Sequence, residues 1–482
     1  MLFNSLEYAV FLPVVFLLYW LVFNRSVKWQ NLFIVVVSYL FYGWWDWRFP
    51  GLIAFTSLST YVSGLLIGKY RDMPRKAKAV SASNIVVNLL ILGVFKYYDF
   101  FAASFANAFL GGKTDGILLH LILPVGISFY TFKALSYSID VYRGKVEPTR
   151  DIVQFFAFIG FFPELLAGPI DRATTLLPQF AKPRTFDYET GIDGLRQFLW
   201  GLFKKIAVAD TCAVYVDQVL APGQPHSGST VLLAIILFAF QIYGDFSGYS
   251  DMAIGTGKLF GIKLMRNFDV PYFSRDIAEF WRRWHISLTS WFRDYLYIPM
   301  GGSRCSRAKI VRNTFVIFLV SGLWHGANWT FLAWGAYHAL LFLPLILLGK
   351  NRKYRDIVAK DRLLPTWKEC GQMLLTFILV TAGWLLFRAD DIAQAWAWIR
   401  TICSRSLFSV PASLTSRTFV PIAVYLPMLV IIEWFQRRQE HALKPFPGKR
   451  YATTLFYLAV FVAVFAAAVS AQGDRAFIYF QF

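Results

Sequence analysis

The six histidines are the first candidates for chemistry in this chain. An unperturbed imidazole titrates near neutral pH, so it can take a proton from a hydroxyl and return one to a leaving group. His325 stands apart from the others. It lies between Trp324 and Gly326 at a polar break, with Asn328 one turn onward, and the surrounding 313–349 stretch holds 37 residues without Asp, Glu, Lys or Arg. A lone intramembrane histidine can be a packing hydrogen-bonder. The isolation of His325, and a glycine beside it that leaves room for substrate, point instead to a general base. His338, thirteen residues on, could line the same face, although a structural hydrogen bond suits it better. His120, His226 and His441 have no comparable context and read as structural or exposed.

His285 sits in a different setting. Between 263 and 312 ten basic and four acidic residues are interleaved with Phe268, Tyr272, Phe273, Phe280, Trp281, Trp284, Trp291, Phe292, Tyr295 and Tyr297. That mixture suits helices lying in the membrane interface or re-entering a water-lined cavity, and an amphipathic loop helix equally well. Arg282, Arg283 and Arg293 could pair with the phosphates of an anionic substrate. Arg282 and Arg283 could instead be bonded to Asp276 and Glu279 one turn away. Within Gly244–Asp251, two acids and two hydroxyls mark the end of an apolar stretch, which singles out Asp245, Ser247 and Asp251. They face water or a ligand, or they cap the next helix.

Other chemistries are excluded. Cysteines 212, 305, 370 and 403 form no C-x-x-C pair and have no histidine at metal-ligand spacing, so neither zinc nor a disulfide framework is expected. Gly255-Thr-Gly257-Lys258-Leu259 superficially resembles a phosphate loop. Met252 stands where the first glycine belongs and Leu259 where Ser or Thr is required. Gly255-x-Gly257 has Phe260 in place of a third glycine, which excludes a dinucleotide fold.

The elements that must position these residues are membrane spans. The chain has 482 residues, 57% hydrophobic, 18% aromatic and 16% charged, with a net charge of +19. In a soluble chain that excess would suggest nucleic acid. Here the cations cluster between long apolar stretches, as cytoplasmic loops do, and anionic lipid headgroups are the expected partner. Stretches of spanning length run over 8–24, 29–45, 49–68, 79–95, 116–132, 218–244, 370–387 and 451–473, with 313–349 read as two helices around the break at 324–328. Weaker candidates at 195–217 and 418–435 bring the count to eleven or twelve. The first run, 8–24, reads as a retained span, since no basic leader or cleavage site precedes it. Lys69–Lys78, Lys350–Glu369 and Arg437–Arg450 carry five, seven and five basic residues, and are assigned to the cytoplasm; 44–50 and 96–116 fall outside. One integral-membrane domain over 1–482 is expected, with a core at about 120–350 and additional spans from about 370.

Three blocks now gain a common meaning: Trp281-Arg-Arg-Trp-His285-Ile-Ser-Leu, Trp291-Phe-Arg-Asp-Tyr-Leu-Tyr-Ile-Pro-Met-Gly-Gly302 and Ser321-Gly-Leu-Trp-His325-Gly-Ala-Asn. They resemble the membrane-bound O-acyltransferase (MBOAT) superfamily. Phe161–Ile170, Asp245–Gly255 and the terminal Phe477–Phe482 resemble its alginate O-acetylation branch. The resemblance implies an all-α polytopic fold with re-entrant or interfacial helices around a central funnel, His325 as the superfamily histidine and His285 as the second histidine of this branch. It also implies acetyl-CoA as a donor from the cytoplasm and no cofactor or metal. The implied partners are a periplasmic or extracellular SGNH-type protein and a polysaccharide acceptor, with the enzyme in the bacterial cytoplasmic (inner) membrane. His325 would deprotonate an acceptor hydroxyl while His285, a backbone amide or Asn328 steadies the oxyanion, with Trp324 beside the substrate. D-alanyl or other acyl transfer to teichoic acid or peptidoglycan is the rival within the same chemistry. A transporter is the rival outside it, and would be supported by paired broken helices; one break is found.

Overall fold

The computed structural model describes every residue except 113–115, 222, 224, 225, 413, 414, 471–474 and 479–482, together with all side chains in the described helices but those of 416 and 417. Among the described residues there is no strand. In chain order the helices are α1 (Leu6–Leu17), α2 (Val27–Gly43), α3 (Phe49–Lys69), α4 (Pro74–Leu92), α5 (Tyr98–Phe109), α6 (Ile127–Tyr142), α7 (Ile152–Gly160), α8 (Phe162–Leu165), α9 (Ala173–Leu176) and α10 (Tyr188–Leu202). They continue as α11 (Thr211–Leu220), α12 (Gly228–Leu259), α13 (Ile277–Arg283), α14 (Ile286–Phe292), α15 (Arg307–His325), α16 (Trp329–Leu347), α17 (Trp367–Arg388), α18 (Ile392–Ile402), α19 (Ser416–Gln436) and α20 (Arg450–Ser470). Short polar residues start many of them. The side chains of Ser5, Ser26, Asp151, Asp276, Asn328, Thr366 and Asp391 each accept a first-turn N–H, which satisfies a donor that the helix itself leaves open.

Seven of the described helical runs are long and apolar enough to cross a membrane: α3, the continuous 74–109 run, α12, α16, α17, residues 418–436 of α19, and α20. The other stretches that the sequence pointed to lie on shorter or more charged helices. α2 has 17 residues, α15 opens with Arg307, Lys309 and Arg312, and 195–217 is interrupted by a π-helical stretch, Phe203–Asp210. Two expected boundaries are corrected. Residues 118–126 are not helical, and the span expected at 116–132 is instead α6, which runs from Ile127 through a buried Lys133. The segment 244–251 does not end a span or cap the next helix; it lies inside the 32-residue α12.

The chain forms two compact units, 1–195 with 253–265, and 196–252 with 266–482. In the first, Lys133 of α6 and Glu164 of α8 pair at 2.8 Å with both side chains buried. Arg71 pairs with Glu147, which sets the turn after α3 beside the one after α6. Tyr42 donates to the Val125 carbonyl at 2.7 Å, which sets the end of α2 beside the connection before α6. The two connections at each end thus share a face, as the charge alternation requires.

The second unit shows the same segregation. Arg437 donates to the carbonyls of Val358, Ala359 and Arg362, and Trp434 to that of Leu363, so the basic connections 350–366 and 437–449 lie together on what we term the basic face. At the opposite ends of α15 and α17, Asn328 donates to the Asp390 carbonyl. α15 and α16 pack backbone to backbone. A Cβ at Gly322 would collide with the Phe331 carbonyl, and one at Gly335 with the Phe318 carbonyl. Gly322→Ala is therefore expected to destabilise the fold by about 1–3 kcal/mol through overpacking. Gly371→Ala on α17, where nothing lies within 4 Å, should be neutral. Thermal unfolding in detergent separates the two variants.

Candidate active site

His325 is the last residue of α15, and the whole 19-residue helix separates it from Arg307 at the basic end. Thr314, Phe318, Ser321 and His325 recur every three or four residues, so they share one face. That face forms one wall of a cavity of about 370 Å³. Trp281 and Arg282 of α13, Ile286 and Thr289 of α14, and Phe342 and Ile346 of α16 form others. Asn351 and Arg352 line it at the basic face, and His285 and His325 line it as well. The cavity thus runs along α15 from a cationic mouth to a pair of imidazoles.

The two histidine rings lie 6.3 Å apart between centroids, inclined at 51°. That places their nitrogens beyond direct hydrogen-bond reach of each other, while both rings line the one cavity. Trp324 packs on both, 4.9 Å from His325 and 5.5 Å from His285. Trp334 and Phe387 close round His325 at 5.2 and 5.3 Å, and Phe246 stands edge-on to His285 at 4.6 Å. Both imidazoles are buried, 4% and 1% exposed. His285 has no hydrogen-bond partner on either nitrogen among the described residues, and burial lowers its basicity, so it stands as a neutral imidazole. Its backbone is left-handed, with φ 44° and ψ 53°. That conformation costs a non-glycine residue about 1–3 kcal/mol and persists only where its surroundings impose it.

The remaining candidates divide. Arg282 lines the cavity while its guanidinium donates to the carbonyls of Asn351 and Tyr354, which ties the cavity wall to the basic face. Arg293 lines it too, beside Asp294 and largely exposed. Arg283 is turned away, paired with Glu279 at 3.0 Å and with Asp269. Asn328 caps α16 through Thr330 and does not line the cavity. Asp245 and Asp251 pair with Lys205 (2.7 Å) and Lys204 (2.5 Å) from the π-helical stretch, and Ser247 is buried on α12 away from the cavity. The room expected beside Gly326 is taken by the Phe331 ring. His338 makes no hydrogen bond among the described residues and sits behind Trp281, whose ring is 4.9 Å away. Thr314, Ser321 and Arg352 were missed. The first two were legible as the residues three turns and one turn before His325 on its own face.

A family model for the membrane-bound O-acyltransferase family, MBOAT, matches residues 146–353. The chain is 39% identical over 510 positions to the probable alginate O-acetylase AlgI of Azotobacter vinelandii, with 98% of each chain covered. It is 35% identical to the peptidoglycan O-acetyltransferase of Helicobacter pylori over 82% of this chain and 78% of that one. The teichoic acid D-alanyltransferase of Bacillus subtilis is 28% identical over 56% of this chain and 69% of its own. The chain belongs to the membrane-bound O-acyltransferase family. It is a multi-pass membrane O-acyltransferase, which removes the transporter reading.

The family's matched region holds the whole of α13 to α16, and so both histidines and the cavity between them. Among the described residues no group of three His, Cys, Asp or Glu could hold a metal ion. Arg283→Met should take its hydrogen bonds from the buried Glu279 and the half-buried Asp269, which keep Arg275 and Arg266 as partners, at a cost of about 1–3 kcal/mol. The expected outcome is a lower level of folded protein in membranes, whereas Arg293→Ala should accumulate normally; fluorescence-detected gel filtration distinguishes them.

Proposed function

We propose that this enzyme takes an acetyl group from acetyl-CoA arriving at the basic, cytoplasmic face and passes it outward for O-acetylation of an exported polysaccharide such as alginate, through an SGNH-type partner outside the bacterial cytoplasmic membrane. The observation that carries the reading is the cavity itself: cations at one end, two imidazoles at the other, and α15 running between them. An anionic donor is drawn to Arg293 and Arg352 at the mouth, where Arg282 adds its positive field. Its acyl arm then lies along Thr314, Phe318 and Ser321 and brings the thioester to the histidines. Extended similarity to an O-acetylase, against partial similarity to a D-alanyltransferase, favours acetyl over D-alanyl transfer.

In this mechanism His325 takes the proton of the acceptor hydroxyl as its oxygen attacks the thioester carbonyl. A C–O bond forms, the carbonyl oxygen gains negative charge, and an N–H of the neutral His285 imidazole stabilises it. Collapse of the tetrahedral intermediate breaks the C–S bond. The proton held by His325 goes to the departing thiolate, so no net proton is consumed. Asn328 has no part in this, because its amide is already committed to Thr330 and Asp390. Trp324 packs against both rings and so holds their inclination.

His325→Ala should lower acetyl transfer by about 10²–10⁴-fold, the usual contribution of a positioned base, at an unchanged level in membranes. Normal acetylation of the exported polymer by that variant would refute the assignment. Arg293→Ala combined with Arg352→Ala should raise the KM for acetyl-CoA and flatten its dependence on salt. For orientation, an impermeant thiol reagent added from outside should label single cysteines placed in 44–48 and spare those placed in 69–78, 350–366 and 437–449; the opposite pattern would reverse the proposed direction.

A further inference from the structure

His285 occupies an unusual place for its type. It stands at the N-cap position of α14, where Ser, Thr, Asp or Asn ordinarily accepts a first-turn N–H, and its own side chain makes no such bond. The N–H groups at the start of α14 are satisfied from elsewhere. Ile286 N–H donates to the backbone carbonyl of Asn267 at 2.9 Å, and Ser287 N–H to the side-chain Oδ1 of the same residue at 3.3 Å. The Ser287 hydroxyl donates a second bond to that Oδ1 at 2.9 Å. Asn267 Nδ2 donates in turn to Ser250 Oγ on α12 at 3.2 Å. Two residues on, Asp269 N–H donates to the Arg283 carbonyl at 3.0 Å. Asn267 is fully buried, as are Ser287 and Ser250.

These bonds form a clasp. Residues 267–269 pair with 283–287, and of two left-handed, non-glycine residues Val270 (φ 40°) adjoins the clasp and His285 (φ 44°) lies within it. We propose that Asn267 is a positioning residue for the second histidine: it caps α14 from outside the helix, so that the N-cap position is released to an imidazole facing the cavity. A Ser or Asp at 285 would cap α14 by itself but would offer no imidazole. Asn suits position 267 because one side chain must accept from Ser287 and donate to Ser250 together. The inference rests on the reading of His285 as a participant in acyl transfer.

Transfer of radiolabelled acetyl from acetyl-CoA, measured in membrane vesicles carrying the full chain, tests it by a double-mutant cycle. Asn267→Ala is expected to lower kcat by about 10–100-fold, the cost of a small displacement of a reacting group, with KM for acetyl-CoA within about 2-fold of wild type. Asn267→Asp keeps an oxygen for Ser287 and should recover part of the loss. Combined with His285→Ala, Asn267→Ala should add nothing, since it acts through the imidazole. A further, additive loss in the double variant would show a general structural role and overturn the proposal, as would an unchanged kcat in Asn267→Ala. If His285→Ala itself retains full rate, the participation of His285 fails and the proposal with it; if His285→Ala is inactive and Asn267→Ala is not impaired, only the positioning role fails. Ser287→Ala removes one bond of the clasp without emptying it. Should Asn267→Ala not accumulate, that variant carries the same cycle, with a smaller kcat loss expected and additivity again contradicting the role.

Discussion

The backbone contact between α15 and α16 is the constraint from which the site follows. Between membrane helices there is little hydrophobic drive, and close approach depends on residues without side chains at the crossing. Gly322 and Gly335 supply it, each facing a carbonyl of the other helix. Because the two helices are held this tightly, the turn between them is short, and Phe331 is folded back against Gly326. His325 is thereby fixed at the end of α15, walled by Trp324, Trp334 and Phe387. The same helix presents Thr314 and Ser321 below it, so one rigid element defines both the path to the histidine and the histidine itself.

A second constraint is the placement of charge in an apolar chain. Unpaired charges are costly away from water, and in the second unit they are resolved in two ways. Lys204, Lys205 and Arg283 are buried and bound to carboxylates of Asp251, Asp245 and Glu279; the lysines join the π-helical stretch to α12, and Arg283 braces α13 within itself. Arg293, paired with Asp294, and Arg352 stay exposed where the cavity meets the basic face, and water screens them there. Neighbouring arginines in one motif thus do opposite work: Arg283 secures α13, while Arg282 faces the cavity.

Much of this was legible in the residues. Apolar length located most of the long helices but misplaced the start of α6, and the uncharged run at 313–349 with its polar break located α16, the apolar part of α15 and His325. Register was not legible where polar residues were satisfied by distant partners. Lys204 and Lys205 weaken the span at 195–217 when read along the chain, because their carboxylate partners Asp251 and Asp245 lie on α12, beyond the whole of α11. Gly244–Asp251 read as a helix end because composition cannot show that the same two lysines neutralise its acids within α12. Asn328 looked like a site residue and proved to be a cap, and Asn267 did not look like one, because a cap supplied from outside the helix leaves no local signature.

The central claim is that a thioester reaches the space between His285 and His325 from the basic face. A structure with a CoA analogue that carries a ketone in place of the thioester, and so cannot transfer its acyl group, tests this directly. The account requires the ketone carbon between the two imidazoles, the acyl arm along Thr314 and Ser321, and the phosphates at Arg293 and Arg352. An analogue bound with its carbonyl away from both histidines, or with its phosphates on the face of Asn328 and Asp390, would contradict it.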